Sequence, residues 1–262
     1  MKAILIAAGM GRRLSPYTDD RPKCLVEIAG RTMLHRQLDN LRAVGVTEFH
    51  IVRGYRGHQL SEALAGEPNV HFIENPDYER NNILLSLMYA ADRMDGGFFC
   101  SYSDIVYRPE VAAALAQSPH ELGLVVDPFW ADAYAGRDAH PISEAELAAV
   151  RTDGEAAGRV TRVGKKAVPT EAAHGEFIGL WRASASAAVT LRALFQRRWQ
   201  ELGPDAPYGR APRLQVAYLT DLLNDLIEQD FPIHSVDIAR PASWREIDTV
   251  QDFERAADVV TW

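Results

Sequence analysis

Three cationic side chains follow a pair of glycines near the start of the chain. Gly9 and Gly11 come after the apolar run AILIAA, and the cations are Arg12, Arg13 and Lys23. In a turn without side chains, backbone N–H groups can point inward and form a nest for an anion. The guanidinium and ammonium groups add full positive charge to that nest. Many donors with concentrated positive charge suit a triphosphate, so the sequence predicts a triphosphate site here.

The glycine pair departs from two common phosphate-binding patterns. A P-loop ends in Gly-Lys-Ser/Thr, and the dinucleotide fingerprint needs a third glycine where Arg12-Arg13-Leu14 stands. That fingerprint also expects an acid at the end of the second strand, where Val52-Arg53-Gly54 stands. These departures disfavour a dinucleotide-dependent oxidoreductase. For the loop alone, a tight turn with solvated arginines remains the alternative.

Two aspartates far apart in sequence have the chemistry of metal ligands. Asp104 follows the apolar segment FFCSY, and Asp248 ends the segment WREID. A carboxylate at the carboxyl end of a parallel strand faces the ligand crevice. Mg²⁺ prefers hard oxygen ligands, often one or two carboxylates with substrate phosphates. A turn or helix cap is the alternative role for such an aspartate, and Glu246 is a weaker candidate ligand.

The segment NPDYERNNILLSL carries side chains suited to a nucleobase. Asn81 and Asn82 offer amide donors and acceptors that match the edge of a base, and Ser86 lies one helical turn beyond Asn82. Helix capping by Asn82 is an alternative role, and a capping residue can also present its side chain to a ligand.

Alternating strands and helices must position these residues. Apolar runs and helical spacing predict strands over residues 3–8, 48–52, 70–73, 98–102 and 122–126, with helices capped by Thr32, over 58–64 and over 82–94. This alternation indicates an α/β fold with a Rossmann-like, doubly wound mixed sheet flanked by helices. After Asp127 the chain becomes polar and rich in Gly and Pro. We therefore predict a single domain, 1–262, with a small middle insertion, 128–175, that binds the acceptor.

The second half of the chain returns to regular elements. Strands are predicted over residues 159–163, 176–181, 233–238 and 244–248, and helices over residues 183–202, 216–229 and 250–260. The segment GPDAPYGRAPR between the first two of these helices is predicted to be a loop.

Composition limits the class of protein. The chain has 262 residues, 47% of them hydrophobic, and a formal net charge of −8, so it lacks the overall basic field of a nucleic-acid binder. Cys24 and Cys100 have neither metal-ligand spacing nor a disulfide pattern, which fits a reducing compartment. We expect no signal peptide and no membrane segment. The composition thus predicts a cytoplasmic protein without nucleic-acid or membrane partners.

The segment AAGMGRRLSPYTDDRPKCLVEIAGRTMLHRQLDNL resembles the signature of nucleotidyltransferases that activate sugar phosphates and phosphocholine. The order of glycine-rich loop, Arg, Leu, Pro, Thr and then Pro-Lys before a short strand matches over 35 residues. The resemblance implies a GT-A-like version of the fold, with Arg12 and Lys23 contacting the phosphates. It also implies that Asp104 and Asp248 share Mg²⁺, the predicted cofactor.

The NPxY…NNxxS pattern narrows the resemblance to the cytidylyltransferases for phosphonates and phosphocholine. The segments VVDPFWADAYAGRDAHP and GEFIGLWR extend it. It implies transfer of CMP from CTP to a small phosphonate or phosphate acceptor, with release of pyrophosphate. Phosphocholine, or a sugar or cyclitol phosphate with another nucleoside triphosphate, remain alternatives. A non-catalytic nucleotide-binding subunit is disfavoured because Lys23, Asp104 and Asp248 are all present.

The predicted site therefore has four groups of residues. The catalytic residues are Lys23, Arg12 and Asp104, and the metal ligands are Asp104 and Asp248. The nucleotide-binding residues are Ala7, Ala8, Gly9, Gly11, Arg12, Arg13, Lys23, Asn81, Asn82 and Ser86. The acceptor-binding residues are Lys165, where the resemblance places a lysine, Arg137 and Asp127. Asp127 with Trp130 and Tyr134 has the chemistry to hold an alkylammonium by charge and cation–π attraction. The sequence is also compatible with a homodimer.

Overall fold

The computed structural model describes residues 1–260. Residues 261 and 262, which the predicted domain 1–262 includes, lie outside the described residues. The strands are β1 (Lys2–Ala7), β2 (Glu27–Ile28), β3 (Arg31–Thr32), β4 (Glu48–Arg53), β5 (Val70–Glu74), β6 (Phe98–Tyr102), β7 (Ile105–Tyr107), β8 (Leu122–Asp127), β9 (Glu146–Val150), β10 (Val160–Lys165), β11 (Gly175–Ala183), β12 (His234–Asp237) and β13 (Trp244–Glu246). The α-helices are α1 (Met33–Ala43), α2 (Gly57–Ala63), α3 (Ile83–Met88), α4 (Pro109–Gln117), α5 (Trp130–Tyr134), α6 (Ala185–Leu202), α7 (Leu219–Glu228) and α8 (Val250–Val259). Within residues 1–260, no helix has the length and apolarity needed to cross a bilayer.

A mixed sheet organises the described chain. Its main path runs β10-β9-β11-β6-β1-β4-β5, while β8 pairs with both β11 and β12. β6, β1, β4 and β5 are mutually parallel, and β11 is antiparallel to β6. The predicted fold class, an α/β mixed sheet flanked by helices, is confirmed.

β1 lies inside the sheet because both of its faces are apolar. Ile4 and Ile6 pack with residues of α3 and α6 on one side. Ala3 and Leu5 pack with residues of α1 and α4 on the other. A strand buried on both faces needs a continuous apolar run, which AILIA supplies. This packing fixes the carboxyl end of β1, where the glycine loop begins.

The segment 128–175, predicted as an insertion, supplies α5, β9 and β10. β9 is antiparallel to β10 and also pairs with the start of β11 through Gly175 and Glu176. Helix α7 supports β10, because the Asn224 side chain accepts from Val163 N at 3.0 Å and donates to Val163 O at 2.7 Å. Its role in binding an acceptor stays a prediction.

β11 contacts different strands along its two halves. Its C-terminal half, Leu180 to Ala183, pairs with β6, whereas its first residues pair with β9. Between the two halves, Gly179 has φ +84, and a Cβ there would lie 2.4 Å from the ring of Tyr102. The Tyr102 ring therefore fills the bend where the partner of β11 changes.

The structure differs from the local predictions at α3 and β9, among other elements. The predicted helix 82–94 is shorter, since α3 ends at Met88 and a separate 3₁₀ turn covers Ala91–Arg93. The sequence does not predict β9, because ELAAV consists mostly of residues that favour helices. Pairing with β10 and β11 overrides that preference, as tertiary context often does for strands.

Candidate active site

The glycine loop after β1 packs directly on Lys23. Gly11 has φ +60, and a Cβ at Gly11 would lie 2.9 Å from Lys23 Cβ. Thr18 Oγ1 donates to Gly11 O at 2.9 Å and holds the loop in place. At Gly9, a Cβ would meet no atom of residues 1–260 within 4 Å. Gly11 thus permits close packing inside the protein, whereas Gly9 leaves open space beside the loop.

Lys23 bridges the two predicted metal ligands. Pro22 precedes it with φ −59, and Lys23 begins a 3₁₀ turn. Its Nζ donates to Asp104 Oδ2 at 2.8 Å and to Asp248 Oδ1 at 2.6 Å, and the residue is only 8% exposed. Burial alone would lower the pKa of Lys23, but the negative charges of Asp104 and Asp248 outweigh it and raise the pKa above its ordinary value. The ammonium group therefore stays protonated and positively charged at neutral pH.

Asp248 lies among several cationic or polar partners. Arg13 Nη2 forms an ion pair with Asp248 Oδ2, and His140 Nδ1 lies 3.4 Å from the same oxygen. Burial opposes ionisation of Asp248, but Lys23, His140 and Arg13 together hold its pKa far below the usual range. The backbone N–H of Ile247 donates to Asp104 O at 2.8 Å, which ties the two aspartates' segments together.

The aspartates fit a hard divalent cation. Their oxygens accept from a single atom, Lys23 Nζ, so both carboxylates converge on one small volume. Such oxygen donors are the ligands that Mg²⁺ takes. A neighbouring group of ligand atoms, one each from His140, Glu246 and Asp248, lies within 4.8 Å of one another. Asp248 belongs both to the pair of aspartates around Lys23 and to this second group of ligand atoms.

A cavity of about 310 Å³ lies over the end of β1. All ten residues predicted to bind the nucleotide line it: Ala7, Ala8, Gly9, Gly11, Arg12, Arg13, Lys23, Asn81, Asn82 and Ser86. Asp104 and Asp248 line it as well. The structure thus brings these residues together, while their roles toward a nucleotide stay predictions.

The amide groups in this cavity are fixed by a small network. Asn75 and Asn81 exchange two hydrogen bonds of 3.1 and 2.9 Å, and Asn75 Nδ2 also donates to Ser86 Oγ at 2.8 Å. Asn82 caps α3, with its Oδ1 accepting from Ile83 N at 2.8 Å. Asn82 therefore caps the helix, as the alternative interpretation of the sequence held, and it also lines the cavity. Sequence reasoning missed Asn75, although it stands in the same NPDY segment.

A second cavity, of about 170 Å³, adjoins the first. Both cavities are lined by Arg13, Asn82, Ile83, Tyr102, Asp104 and Asp248. Lys165, predicted to bind the acceptor, lines the second cavity from the end of β10, and its Nζ donates to Glu144 Oε2 at 3.0 Å. Residues Glu146, Glu176 and Glu246 also line this cavity.

Sequence reasoning missed Glu146 and Glu176 as site residues. Glu146 begins β9, a strand that the helix-favouring composition concealed. Glu176 lies in a correctly predicted strand, and a charged residue within the apolar run EFIGLW was the available signal. Glu246 was a weaker candidate for a metal ligand, and in the structure it accepts a hydrogen bond from Arg137 Nη2 at 2.9 Å.

Two residues predicted to bind the acceptor are engaged elsewhere. Asp127 accepts from Trp244 Nε1 at 2.7 Å and from Phe129 N at 2.9 Å, so each of its oxygens already has a donor. Arg137 is buried and binds Asp252 at 2.6 Å as well as Glu246. Neither residue lines the second cavity. Both stabilise the wall of the site, and we therefore remove them from the acceptor-binding set.

Asp127, Trp130 and Tyr134, considered as a binding site for an alkylammonium, do not form an open site. Trp130 packs in an apolar cluster with Ala145, Leu147 and Val168. Tyr134 donates to Glu176 Oε1 at 2.6 Å, and Arg137 lies over its ring, 5.1 Å from the centroid. The aromatic residues are thus occupied by protein partners.

Residues 3–200 match the model of the MobA-like NTP transferase domain. This chain belongs to the MobA-like NTP transferase family. The predicted nucleotidyltransferase class is therefore confirmed. The CTP:phosphoglutamine cytidylyltransferase of Campylobacter jejuni is 30% identical to this MobA-like transferase over 260 residues, which are 97% of this chain and 98% of that protein.

Another curated protein and one solved structure are also similar to this MobA-like transferase. The CMP-5'-(3-aminopropyl)phosphonate synthase of Streptomyces rubellomurinus is 35% identical over 122 residues, 45% of this chain and 19% of that protein. The structure of CTP:phosphocholine cytidylyltransferase from Streptococcus pneumoniae superposes with a TM-score of 0.73 at 18% identity, covering 99% of each chain. At that identity the superposition shows a shared fold.

Proposed function

We propose that the protein is a cytidylyltransferase that transfers CMP from CTP to a small phosphonate or phosphate acceptor and releases pyrophosphate. The main support is the pair of adjoining cavities that share Asp104 and Asp248, with Lys23 between the two carboxylates. One cavity suits a nucleotide and the other a small acceptor. The full-length similarity to a cytidylyltransferase from Campylobacter jejuni supports CTP as the donor.

The chemistry is an in-line displacement at phosphorus. An oxygen of the acceptor's phosphoryl or phosphonyl group attacks the α-phosphorus of CTP and forms a new P–O bond. The bond between the α-phosphorus and the bridging oxygen breaks, and pyrophosphate leaves with that electron pair. The acceptor oxygen is already anionic, so the reaction needs positioning and charge neutralisation rather than a strong base.

Cationic residues of the first cavity neutralise the developing charge. Lys23 is charged and buried, so its interaction with the α-phosphoryl oxygens is strong. Arg12 is exposed at the cavity and, with the loop N–H groups, holds the outer phosphates. Cys24 also lines the cavity, but burial raises its pKa to about 12, so the thiol stays neutral and takes no part.

Mg²⁺ is the proposed cofactor, held by Asp104 and Asp248. When bound, it would neutralise phosphate charge and orient the reacting groups. Asp248 is ionised at every working pH because of its cationic neighbours. Asp104, which contacts the ammonium of Lys23, completes the pair of oxygen donors.

Pyrophosphate release tests the proposal. The purified chain is incubated with Mg²⁺ and each of CTP, UTP, dTTP, GTP and ATP, against phosphocholine, 2-aminoethylphosphonate, 2-hydroxyethylphosphonate and glucose 1-phosphate. We expect release with CTP and at least one of the first three acceptors, and formation of the CMP conjugate by mass spectrometry. Release only with glucose 1-phosphate, or with CTP inactive toward every acceptor, would contradict the proposal.

A further inference from the structure

The turn that carries Asp104 is closed by one buried side chain. Gln37 of α1 is fully buried, and its Nε2 donates to Tyr102 O at 3.0 Å and to Ile105 O at 2.6 Å. These two carbonyls stand on either side of Ser103 and Asp104, the two residues between β6 and β7. A side-chain amide nitrogen has two N–H donors, and both are used here. One nitrogen therefore joins the two ends of the turn.

The orientation of the Gln37 amide follows from its partners. Both partners are carbonyl oxygens, which only accept, so the nitrogen must face them. The Oε1 of Gln37 is then buried and has no hydrogen-bond partner among residues 1–260. A buried acceptor without a donor costs free energy, and an apolar side chain of the same size would fill this space without that cost. The two donated hydrogen bonds are therefore what a glutamine adds at this position.

Helix α1 completes one edge of β7. Along its other edge, β7 pairs antiparallel with β13. On the side of α1, Gln37 donates to Ile105 O, and Asn40 Nδ2 donates to Tyr107 O at 2.7 Å. Gln37 and Asn40 are three residues apart and share one face of the helix. Backbone carbonyls that a strand partner leaves free need other donors, and the two side-chain amides supply them.

The opposite edge of the same turn holds the second aspartate. β13 ends at Glu246, and the backbone N–H of Ile247 donates to Asp104 O at 2.8 Å. Asp248 follows directly, and the carboxylates of Asp104 and Asp248 meet at Lys23 Nζ, at 2.8 and 2.6 Å. A shift of the turn would therefore move both carboxylates relative to the ammonium group.

We propose that Gln37 is a positioning residue that holds both aspartates in place by closing the turn between β6 and β7. The proposal rests on the proposed function and adds to it a residue that lines neither cavity. Gln37 acts on Asp104 through the backbone of the turn, and on Asp248 through the hydrogen bond from Ile247 to Asp104 O. Small displacements of a positioned group have large effects on rate.

A matched pair of variants provides the first test. Gln37→Met and Asn40→Leu each keep the size of the side chain and remove its hydrogen bonds to backbone carbonyls of β6 or β7. Both should lower the midpoint of thermal unfolding by about 2–8 °C. Only Gln37→Met should alter the site, because the Asn40 contact does not bracket Asp104.

Steady-state pyrophosphate release from CTP measures that difference. We expect kcat of Gln37→Met to fall about tenfold or more with KM for CTP within about twofold of the parent, and kcat of Asn40→Leu to stay within about twofold. Equal falls in the two variants would indicate a loss of stability alone and contradict the proposal. Gln37→Asn, which keeps the amide but shortens its reach by one methylene, replaces Gln37→Met if that variant does not fold.

Hydrogen exchange provides a second test that needs no turnover. The amide of Ile247, which donates to Asp104 O, reports on the contact between the two aspartates' segments. Relative to the amide of Leu5 in β1, it should exchange at least tenfold faster in Gln37→Met than in the parent. In Asn40→Leu the relative rate should stay within about twofold. Equal protection of Ile247 in all three proteins would overturn the proposal.

The two measurements separate this proposal from the proposed function. If the parent releases no pyrophosphate while Ile247 loses protection in Gln37→Met, the proposed function fails and the positioning role stands. If the parent is active and Gln37→Met keeps the parent's kcat, the positioning role fails and the proposed function stands.

Discussion

At Lys23, one ammonium group and two carboxylates meet where little water reaches. The three charges are mutually satisfied, with contacts of 2.8 and 2.6 Å. Because Lys23 is only 8% exposed, water screens its interaction with an entering phosphoryl group less than at an open surface. Individual side chains at this point therefore have large effects on turnover, and removing one of these buried, paired charges also lowers stability.

Asp104→Asn and Lys23→Ala should each lower kcat by about 10² or more, the usual loss when a preorganised charge at the reacting phosphorus is removed. The measurement is CTP-dependent pyrophosphate release, on protein whose circular dichroism matches that of the parent. Asp153→Asn, at an exposed turn, is the control. Near-normal turnover of either variant would remove that residue from the catalytic set.

Glu176 should couple stability to pH. Burial, reinforced by the charge of Glu246, raises its pKa to about 8 from the ordinary value of 4.5. Between these values the folded state retains a proton that the unfolded state has released. Its contribution to stability is therefore fully present below pH 4.5 and is lost as the pH rises through 8.

Glu176→Gln should remove this dependence. At pH 9 we expect the variant to be more stable than the parent by about 2–4 kcal/mol, with little difference at pH 4.5. Urea unfolding at the two pH values measures the change. A variant that is less stable than the parent at pH 9 would contradict the raised pKa.

The glycine loop shows how one element positions another. Gly11 adopts a left-handed conformation, with φ +60, and lies against Lys23, whereas Gly9 faces open space. The loop therefore has an inner side that orients Lys23 and an outer side that a ligand can approach. The two glycines are close in sequence but have different physical roles.

Alanine substitutions should separate those roles. Gly11→Ala should destabilise the protein by about 1–3 kcal/mol, since it adds backbone strain and a Cβ that crowds Lys23, and it should lower kcat. Gly9→Ala is the matched comparison: we expect unchanged stability but a higher KM for CTP. Thermal unfolding and steady-state kinetics measure both effects. A stable, fully active Gly11→Ala protein would show that the loop does not orient Lys23.

Long-range ion pairs join the segment 128–175 to the end of the chain. Arg137 binds Glu246 at the end of β13 and Asp252 in α8. A hydrogen bond adds to these ion pairs: Asp127 at the end of β8 accepts from Trp244 Nε1 in β13. These contacts fix the wall of the second cavity, so the acceptor site depends on parts of the molecule more than a hundred residues apart.

Arg137→Ala should destabilise the whole molecule by about 3–5 kcal/mol, because it leaves buried carboxylates without their partner. Arg151→Ala, at an exposed position, should have little effect. Urea unfolding measures both. If Arg137→Ala kept full stability and only raised KM for the acceptor, Arg137 would belong in the acceptor-binding set after all.

The sequence by itself determined the features that depend on local pattern. The apolar run of β1, the cap of α1 at Thr32 and the loop cations are readable because strand burial, capping and turn chemistry act over a few residues. Strand-end position and the family resemblance together indicated Asp104 and Asp248, which the fold brings to one lysine.

Only the tertiary structure decided the second cavity. Glu146 lies on a strand whose composition favours helix, and Glu176 owes its raised pKa to burial and to a neighbour from β13. Asp127 and Arg137, predicted as ligand contacts, are occupied by partners from distant segments. Whether a charge is paired, buried or available depends on what the rest of the chain packs against it. That packing is a long-range property, which no local pattern of residues specifies.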